Sequence, residues 1–195
     1  AVPGANNTID FVTISSTGNA TDYGDLLAAT NNCQNFGTCA NATRGIWAGG
    51  YQVAPTARVN IIQYNTIDTN GNTIDFGDLL AATNHIVGAG SATRGLFMGG
   101  DAPSAQNVIQ FVTISTLGNS ADFGDLLVDP EGGGGGSSNA VRALYFAKNT
   151  APINYITIAT LGDAQDFGDL TSATNHYSGG SPSSSTRACY GGGGF

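Results

Sequence analysis

The chain has 195 residues, of which only 10% are charged, and its formal net charge is −8. This length suits one domain or one compact repeat array. Six scattered basic residues argue against a nucleic-acid partner, because phosphate binding requires clustered Lys and Arg. No apolar run reaches the roughly eighteen residues needed to cross a membrane, so membrane insertion is not expected. The first residue is Ala, which indicates a processed chain or a segment of a longer protein.

The first predicted element is a strand over residues 9–14, where apolar and polar residues alternate. Such alternation of β-branched and aromatic residues is typical of a strand. A turn is predicted at Gly18-Asn19, because Gly and Asn accept positive φ. The turn leads into a second strand, which carries the motif D-[Y/F]-G-D-L at residues 22–26.

The second half of the unit is clearest in the second copy. A third strand of weaker pattern is predicted over about residues 84–92, and a fourth over 94–98, where an Arg opens an apolar run. A Gly pair at Gly99-Gly100 closes the unit. No segment has a helical apolar stripe, so the sequence predicts an all-β chain.

This pattern occurs four times. The last motif aspartates are residues 25, 78, 125 and 169, at steps of 53, 47 and 44 residues, and the repeat arginines are residues 44, 94, 142 and 187, at steps of 50, 48 and 45. We therefore expect a single domain over residues 1–195, with units at about 1–50, 51–100, 101–148 and 149–195. The third unit departs from the pattern, because five Gly at 132–136 replace its Ala-Thr-Asn region and Ala147-Lys148 replaces its Gly pair.

Four-stranded units of this length fit the blades of a β-propeller, in which stacked sheets bury one another's faces. A β-solenoid is the alternative fold, although its repeats are typically shorter. The chain starts at the third strand of a blade and ends at the second, so its two ends would together complete one blade. The sequence thus predicts either a closed ring of four blades or a part of a larger propeller.

The Gly doublet after an apolar strand, the alternating strand and the aromatic of the next strand resemble the kelch repeat. Tyr23, Phe76, Phe123 and Phe167 stand where kelch blades usually carry Trp. The sequence of residues 107–126 and the pattern T-R-G-[L/I]-[F/W]-x-G-G elsewhere in the chain are similar to kelch-like repeats of marine bacteriophage structural and tail-fibre proteins. The resemblance covers essentially the whole chain. It implies a virion or extracellular location and an appendage whose rim loops touch a host surface.

Most of the charge belongs to the repeat. The paired motif aspartates are Asp22, Asp25, Asp75, Asp78, Asp122, Asp125, Asp166 and Asp169, and the repeat arginines are Arg44, Arg94, Arg142 and Arg187. An even distribution favours a structural role, in which each Arg donates to an Asp or to a backbone carbonyl and pins strands or blades together. Calcium binding by the aspartate pairs is the alternative, but the motif lacks the spacing of a calcium loop. We expect no metal and no cofactor.

The remaining candidates are few. His85 and His176 occupy equivalent loop positions without further zinc ligands, and Cys189 aligns with apolar strand residues, which predicts a buried thiol. A Cys33–Cys39 disulfide is possible only if the chain turns between them. Trp47, Tyr145 and Tyr190 align with Phe97 as strand residues, whereas Tyr51 and Tyr177 lie outside that register and are candidate surface-binding residues.

The sequence therefore predicts a non-enzymatic structural or adhesive module whose partners are other virion proteins and host surface glycans. A lectin-type propeller or a propeller enzyme is the alternative, because propellers host both activities. An enzyme would require a cluster of unrepeated polar residues, for which the irregular third unit is the place to look.

Overall fold

The computed structural model describes residues 7–27, 36–53, 55–127, 130, 132–173 and 181–191. These residues form sixteen strands and no helix, which confirms the all-β prediction. The strands form three four-stranded and two two-stranded antiparallel sheets. The described part of the chain accordingly contains no helix able to span a membrane.

The chain begins with the N-terminal hairpin, formed by β1 (Thr8–Phe11) and β2 (Thr21–Asp25). Sheet A follows, in the order β3 (Gly37–Ala40), β4 (Arg44–Ala48), β7 (Ile61–Thr66) and β8 (Ile74–Asp78). A small hairpin of β5 (Tyr51–Val53) and β6 (Thr56–Arg58) stands between β4 and β7.

Sheets B and C repeat the meander of sheet A. Sheet B contains β9 (Val87–Gly90), β10 (Arg94–Met98), β11 (Val108–Thr113) and β12 (Ala121–Asp125). Sheet C contains β13 (Gly134–Ser138), β14 (Arg142–Ala147), β15 (Pro152–Thr157) and β16 (Gln165–Asp169). The C-terminal hairpin, residues 181–191, is bridged at Ser183 and Ala188.

The predicted strands appear with small shifts in their bounds. The alternating strand, predicted over 62–67, is β7, and the motif strand is β8. The weak third strand is shorter than predicted, since β9 covers only Val87–Gly90, and β5 and β6 were not predicted. The glycine run of the third unit contributes its last three residues to β13, where a Cβ on Gly136 would lie 2.4 Å from the Gly88 carbonyl oxygen of β9.

The sheets stack in chain order and bury their faces against one another. β9 contacts β3 on one side and β13 on the other, so the first strands of the three sheets lie next to each other. One core cluster joins sheets A and B and includes Ile46, Phe76 and Phe97. A second joins sheets B and C and includes Leu96 and Tyr145. Neighbouring residues Leu96 and Phe97 thus face opposite cores, as the period of two in a strand requires.

The two ends of the stack are each half a sheet. We call the first two strands of each four-stranded sheet its inner half and the last two its outer half. The N-terminal hairpin corresponds to the outer half of a sheet and packs against the outer half of sheet A. The C-terminal hairpin corresponds to the inner two strands and packs against the inner half of sheet C, where Tyr190 stacks on Phe146 with 4.7 Å between ring centroids. No hydrogen bond between the described residues of the two hairpins joins them to each other.

The cysteines correct one expectation. Cys189 is exposed rather than buried, because no sheet among the described residues covers the C-terminal hairpin that carries it. Cys39 is a buried free thiol, and its predicted partner Cys33 lies outside the described residues.

Candidate functional site

The repeated polar contacts of this chain lie at a junction that occurs three times. It joins the N-terminal hairpin to sheet A, sheet A to sheet B, and sheet B to sheet C. At the first junction, the Gly71 amide donates to the Tyr23 carbonyl at 2.8 Å and the Thr73 amide donates to the Asp25 carbonyl at 2.9 Å. The Asp25 amide donates in return to Asn72 Oδ1 at 3.0 Å. The motif strand of one element is therefore joined to the Gly-Asn turn of the next by backbone hydrogen bonds.

The other two junctions have the same geometry. Equivalent amide-to-carbonyl bonds, all of 2.8 Å, are Gly118 to Phe76, Ser120 to Asp78, Gly162 to Phe123 and Ala164 to Asp125. The equivalent side-chain acceptors are Asn119 for the Asp78 amide and Asp163 for the Asp125 amide, both at 3.0 Å. The repeated motif is thus explained by a repeated contact between elements.

The motif glycine makes the junction sterically possible. Gly77 has a φ of +147°, and a Cβ on it would lie 2.5 Å from the carbonyl carbon of Gly118. Gly24 and Gly124 approach the following turns in the same way. At the end of sheet C, by contrast, a Cβ on Gly168 would meet nothing within 4 Å. Only the first three motif glycines are therefore covered by a neighbour.

The motif aromatic packs against its own sheet. Phe76 meets Tyr64 edge to face, with centroids 5.8 Å apart, and Phe123 meets Phe111 at 5.9 Å. The Tyr23 hydroxyl additionally lies 2.5 and 2.6 Å from the Thr66 and Thr69 carbonyl oxygens, at the end of β7 and in the turn after it, and its single proton is shared between them. Phe167 is 52% exposed, whereas Phe76 and Phe123 are each 3% exposed. The last aromatic therefore lacks the cover that the others have.

The aspartate side chains do not serve as partners of the arginines. Between described residues, His85 and Asp101 form the only contact of a basic with an acidic side chain. Among the motif aspartate side chains, that of Asp166 accepts from the Gly168 amide at 3.0 Å. Most of these carboxylates are exposed on the outermost strand of each sheet. Charge on an edge strand discourages pairing with another edge.

The repeat arginines bind backbone carbonyls across the stack. Arg44 of sheet A donates Nη1 to the Ile114 carbonyl of sheet B at 2.7 Å, and Arg94 of sheet B donates to the Ile158 carbonyl of sheet C at 2.7 Å. Each guanidinium also lies over an aromatic ring of its own sheet, 4.7 Å from Tyr64 and 4.5 Å from Phe111. Each Arg therefore contacts an aromatic ring of its own sheet and a backbone carbonyl of the next sheet.

The last two repeat arginines lack this second partner. Arg142 lies over the Tyr155 ring at 4.8 Å but is exposed. Arg187 lies in the C-terminal hairpin and is also exposed. Together with Phe167 they line a groove of about 260 Å³ between sheet C and that hairpin.

Buried amide side chains complete the junctions, and sequence reasoning missed them. Gln110 Oε1 accepts from the Leu80 amide at 2.9 Å and from the Ser120 hydroxyl at 2.7 Å. Gln63 and Asn154 accept from Leu27 and Leu127 in the same way. A sequence pattern could have indicated them, because each of these three Gln and Asn residues stands between two apolar residues of the alternating strand.

A second polar cluster is formed by residues of the β5–β6 hairpin and of the loops that flank β9 and β10. Arg58 Nε donates to Asn84 Oδ1 at 2.8 Å, and His85 Nδ1 lies 3.0 Å from Asp101 Oδ2. Tyr51 is half-buried in the β5–β6 hairpin, opposite Arg58. We call these five residues the rim cluster. The other candidate aromatic, Tyr177, and the second histidine, His176, lie outside the described residues.

The described residues contain no group of three His, Cys, Asp or Glu side chains placed to hold a metal ion. Two pKa values are strongly shifted, and burial is the leading cause of both. Desolvation raises the pKa of the Cys39 thiol from 9.0 to about 12 and also raises the pKa of Tyr145, whose hydroxyl donates to the Gly133 carbonyl at 2.7 Å. Both groups are thereby held in their neutral forms inside the cores.

Neither a protein-family model nor a curated protein sequence matches this chain.

Proposed function

We propose that the chain is a non-enzymatic structural and adhesive module of a virion appendage, such as a tail fibre or a capsid decoration. The observation that supports this role is the junction itself. Its hydrogen bonds repeat three times, and the repeat arginines and buried amides act between successive elements. Polar groups that are used to join sheets are not available for a single catalytic centre.

We further propose that the sheets are consecutive blades of a kelch-like β-propeller, either a four-bladed ring or a part of a larger one. Three features support this arrangement: each sheet is a four-stranded antiparallel meander, the first strands adjoin, and sheet B buries both faces. A solenoid of short rungs would not divide into separate four-stranded meanders.

The rim cluster is the proposed contact surface for a host glycan. Tyr51 and Arg58 of this cluster come from the inserted β5–β6 hairpin, and a shallow groove of about 350 Å³ beside it is lined by Arg58, Ala102 and Pro103 among others. Planar polar side chains next to an aromatic ring suit a sugar, which offers hydroxyl groups at its rim and an apolar face.

A glycan array tests this role. The purified chain is expected to bind a limited set of surface glycans, and Arg58→Ala and Tyr51→Ala are expected to abolish binding while the outer-edge variant Asp75→Asn retains it. Binding that is unchanged in both rim variants would place the contact elsewhere. Cleavage of any bound glycan would overturn the non-enzymatic role in favour of a propeller enzyme.

A further inference from the structure

The far face of sheet C is only half covered. Its inner half lies against the C-terminal hairpin through the Phe146–Tyr190 stack and through the Ser181 hydroxyl, which donates to the Gly136 carbonyl at 2.7 Å. Its outer half presents Phe167, Gly168 and the unshared guanidinium of Arg142. In sheets A and B the equivalent outer half is covered by the following sheet.

The opposite end of the stack has the complementary gap. The N-terminal hairpin covers only the outer half of sheet A, and within the described residues β1 pairs with β2 alone. Ile14 is 99% exposed, although its equivalents Ile114 and Ile158 are at most 2% exposed. The turn that would enter a junction, Gly18-Asn19, is present and exposed.

We propose that a second copy of this chain docks head to tail on this face, with the C-terminal hairpin of one copy and the N-terminal hairpin of the next forming one composite four-stranded sheet. The internal sheets define its register, because Arg44, Ile46 and Ala48 lie opposite Thr66, Tyr64 and Ile62. The same register places Arg187 opposite Thr13, Cys189 opposite Phe11, and Gly191 opposite Ile9 of the second copy.

Each unsatisfied group at the end of sheet C then gains the partner that its equivalents have. Arg142 donates to the Ile14 carbonyl of the second copy, as Arg94 donates to that of Ile158. The second copy's Gly18-Asn19 turn lies against Phe167 and Gly168, as Gly162-Asp163 lies against Phe123 and Gly124. This match of side chains, backbone groups and strand edges selects a copy of the same chain over an unrelated partner.

The described residues of the two half-sheets do not meet within one chain. Gly18 and Gly168 each have open space around the position of a Cβ, so neither touches the other's unit. A head-to-tail interface is heterologous, and it yields a ring if the rotation closes and a filament if it does not. Two copies would supply eight blades, which is within the range of propellers. The association is independent of the proposed virion role.

Disulfide trapping tests the register. In a Cys33→Ser background, Phe11→Cys places a thiol opposite the exposed native Cys189, and residues directly opposite in antiparallel strands lie within disulfide range. Oxidation is expected to give covalent species of two or more chains. The control Val12→Cys, one residue after β1, is expected to give far less, because successive side chains of an extended chain point in opposite directions. Only monomer, with or without an internal disulfide, would overturn the proposal.

Sedimentation velocity provides a test without cysteine chemistry. The native chain is expected to shift to larger species as its concentration rises, whereas Gly168→Ala, whose new methyl group would meet the incoming turn, is expected to remain monomeric with an unchanged circular-dichroism spectrum. A native chain that stays monomeric throughout would contradict the proposal. Glycan binding is measured separately, so failure of one proposal leaves the other open to its own test.

Discussion

The guanidinium of Arg94 in sheet B donates a 2.7 Å hydrogen bond to the Ile158 carbonyl in sheet C while lying over the Phe111 ring of its own sheet. A charged hydrogen bond contributes about 1.5–3 kcal/mol, and the ring contact about 0.5–1 kcal/mol at an exposed site. We therefore expect Arg94→Ala to lower the free energy of unfolding by about 2 kcal/mol in urea titrations.

The matched control is Arg58→Ala, which removes the same charge from the small β5–β6 hairpin. Arg58 contacts Asn84 at the rim and joins no two sheets, so we expect a loss below about 1 kcal/mol. Equal losses for the two variants would reject a structural role for the repeat arginine.

Gly77 and Gly168 form a matched pair, because an Ala at either position would have a similar backbone strain. Both have positive φ, +147° and +129°, but only Gly77 lies against a following turn. Gly77→Ala is expected to cost at least about 2 kcal/mol more than Gly168→Ala, since overpacking a tight contact typically costs about 1–3 kcal/mol. Thermal unfolding at low protein concentration measures the difference, and similar melting temperatures would show that the junction tolerates a methyl group.

Gln110 tests the buried amides. Its Oε1 accepts from the Leu80 amide across the junction, so Gln110→Ala leaves a donor unsatisfied and is expected to cost about 1–3 kcal/mol. Asp10 occupies the same repeat position, but no element among the described residues precedes its hairpin in the stack. Asp10→Ala is therefore expected to change stability by less than about 0.5 kcal/mol, and a comparable loss at both sites would argue against the junction as the cause.

The thiols are expected to differ in reactivity. Burial raises the pKa of Cys39 from 9.0 to about 12, whereas Cys189 is exposed. In a Cys33→Ser background, iodoacetamide at pH 8 should label Cys189 and spare Cys39 until the protein is unfolded. Because the folded pKa is raised, the contribution of neutral Cys39 to stability is complete below pH 9 and is lost as pH rises toward 12. Equal labelling of both thiols in the native protein would show that Cys39 is not enclosed.

The sequence predicted the strands well because the alternation in residues such as Ile109, Phe111 and Ile114 matches a sheet that is buried on both faces. It also predicted the turns, because Gly18-Asn19 and its copies are favourable for positive φ. The phase of the repeat indicated half-sheets at the two ends, and these are present.

The partners of the charged residues were less predictable. A guanidinium donates to a carbonyl as well as to a carboxylate, and no spacing in the sequence shows that Arg44 meets Ile114 rather than an aspartate. Likewise, Cys189 aligns with core residues, and only the missing neighbour exposes it. The rim cluster brings together residues of the β5–β6 hairpin and of two loops, and no motif in the sequence links these segments.

Amide hydrogen exchange tests the repeated junction most directly. The amides of Gly71, Gly118 and Gly162 donate across the three junctions, whereas that of Gly18, at the equivalent position, has no acceptor among the described residues. In the Gly168→Ala variant, which keeps copies apart, we predict slow exchange for the first three amides and fast exchange for Gly18. Equally fast exchange at all four glycines would show that the sheets are not joined as described.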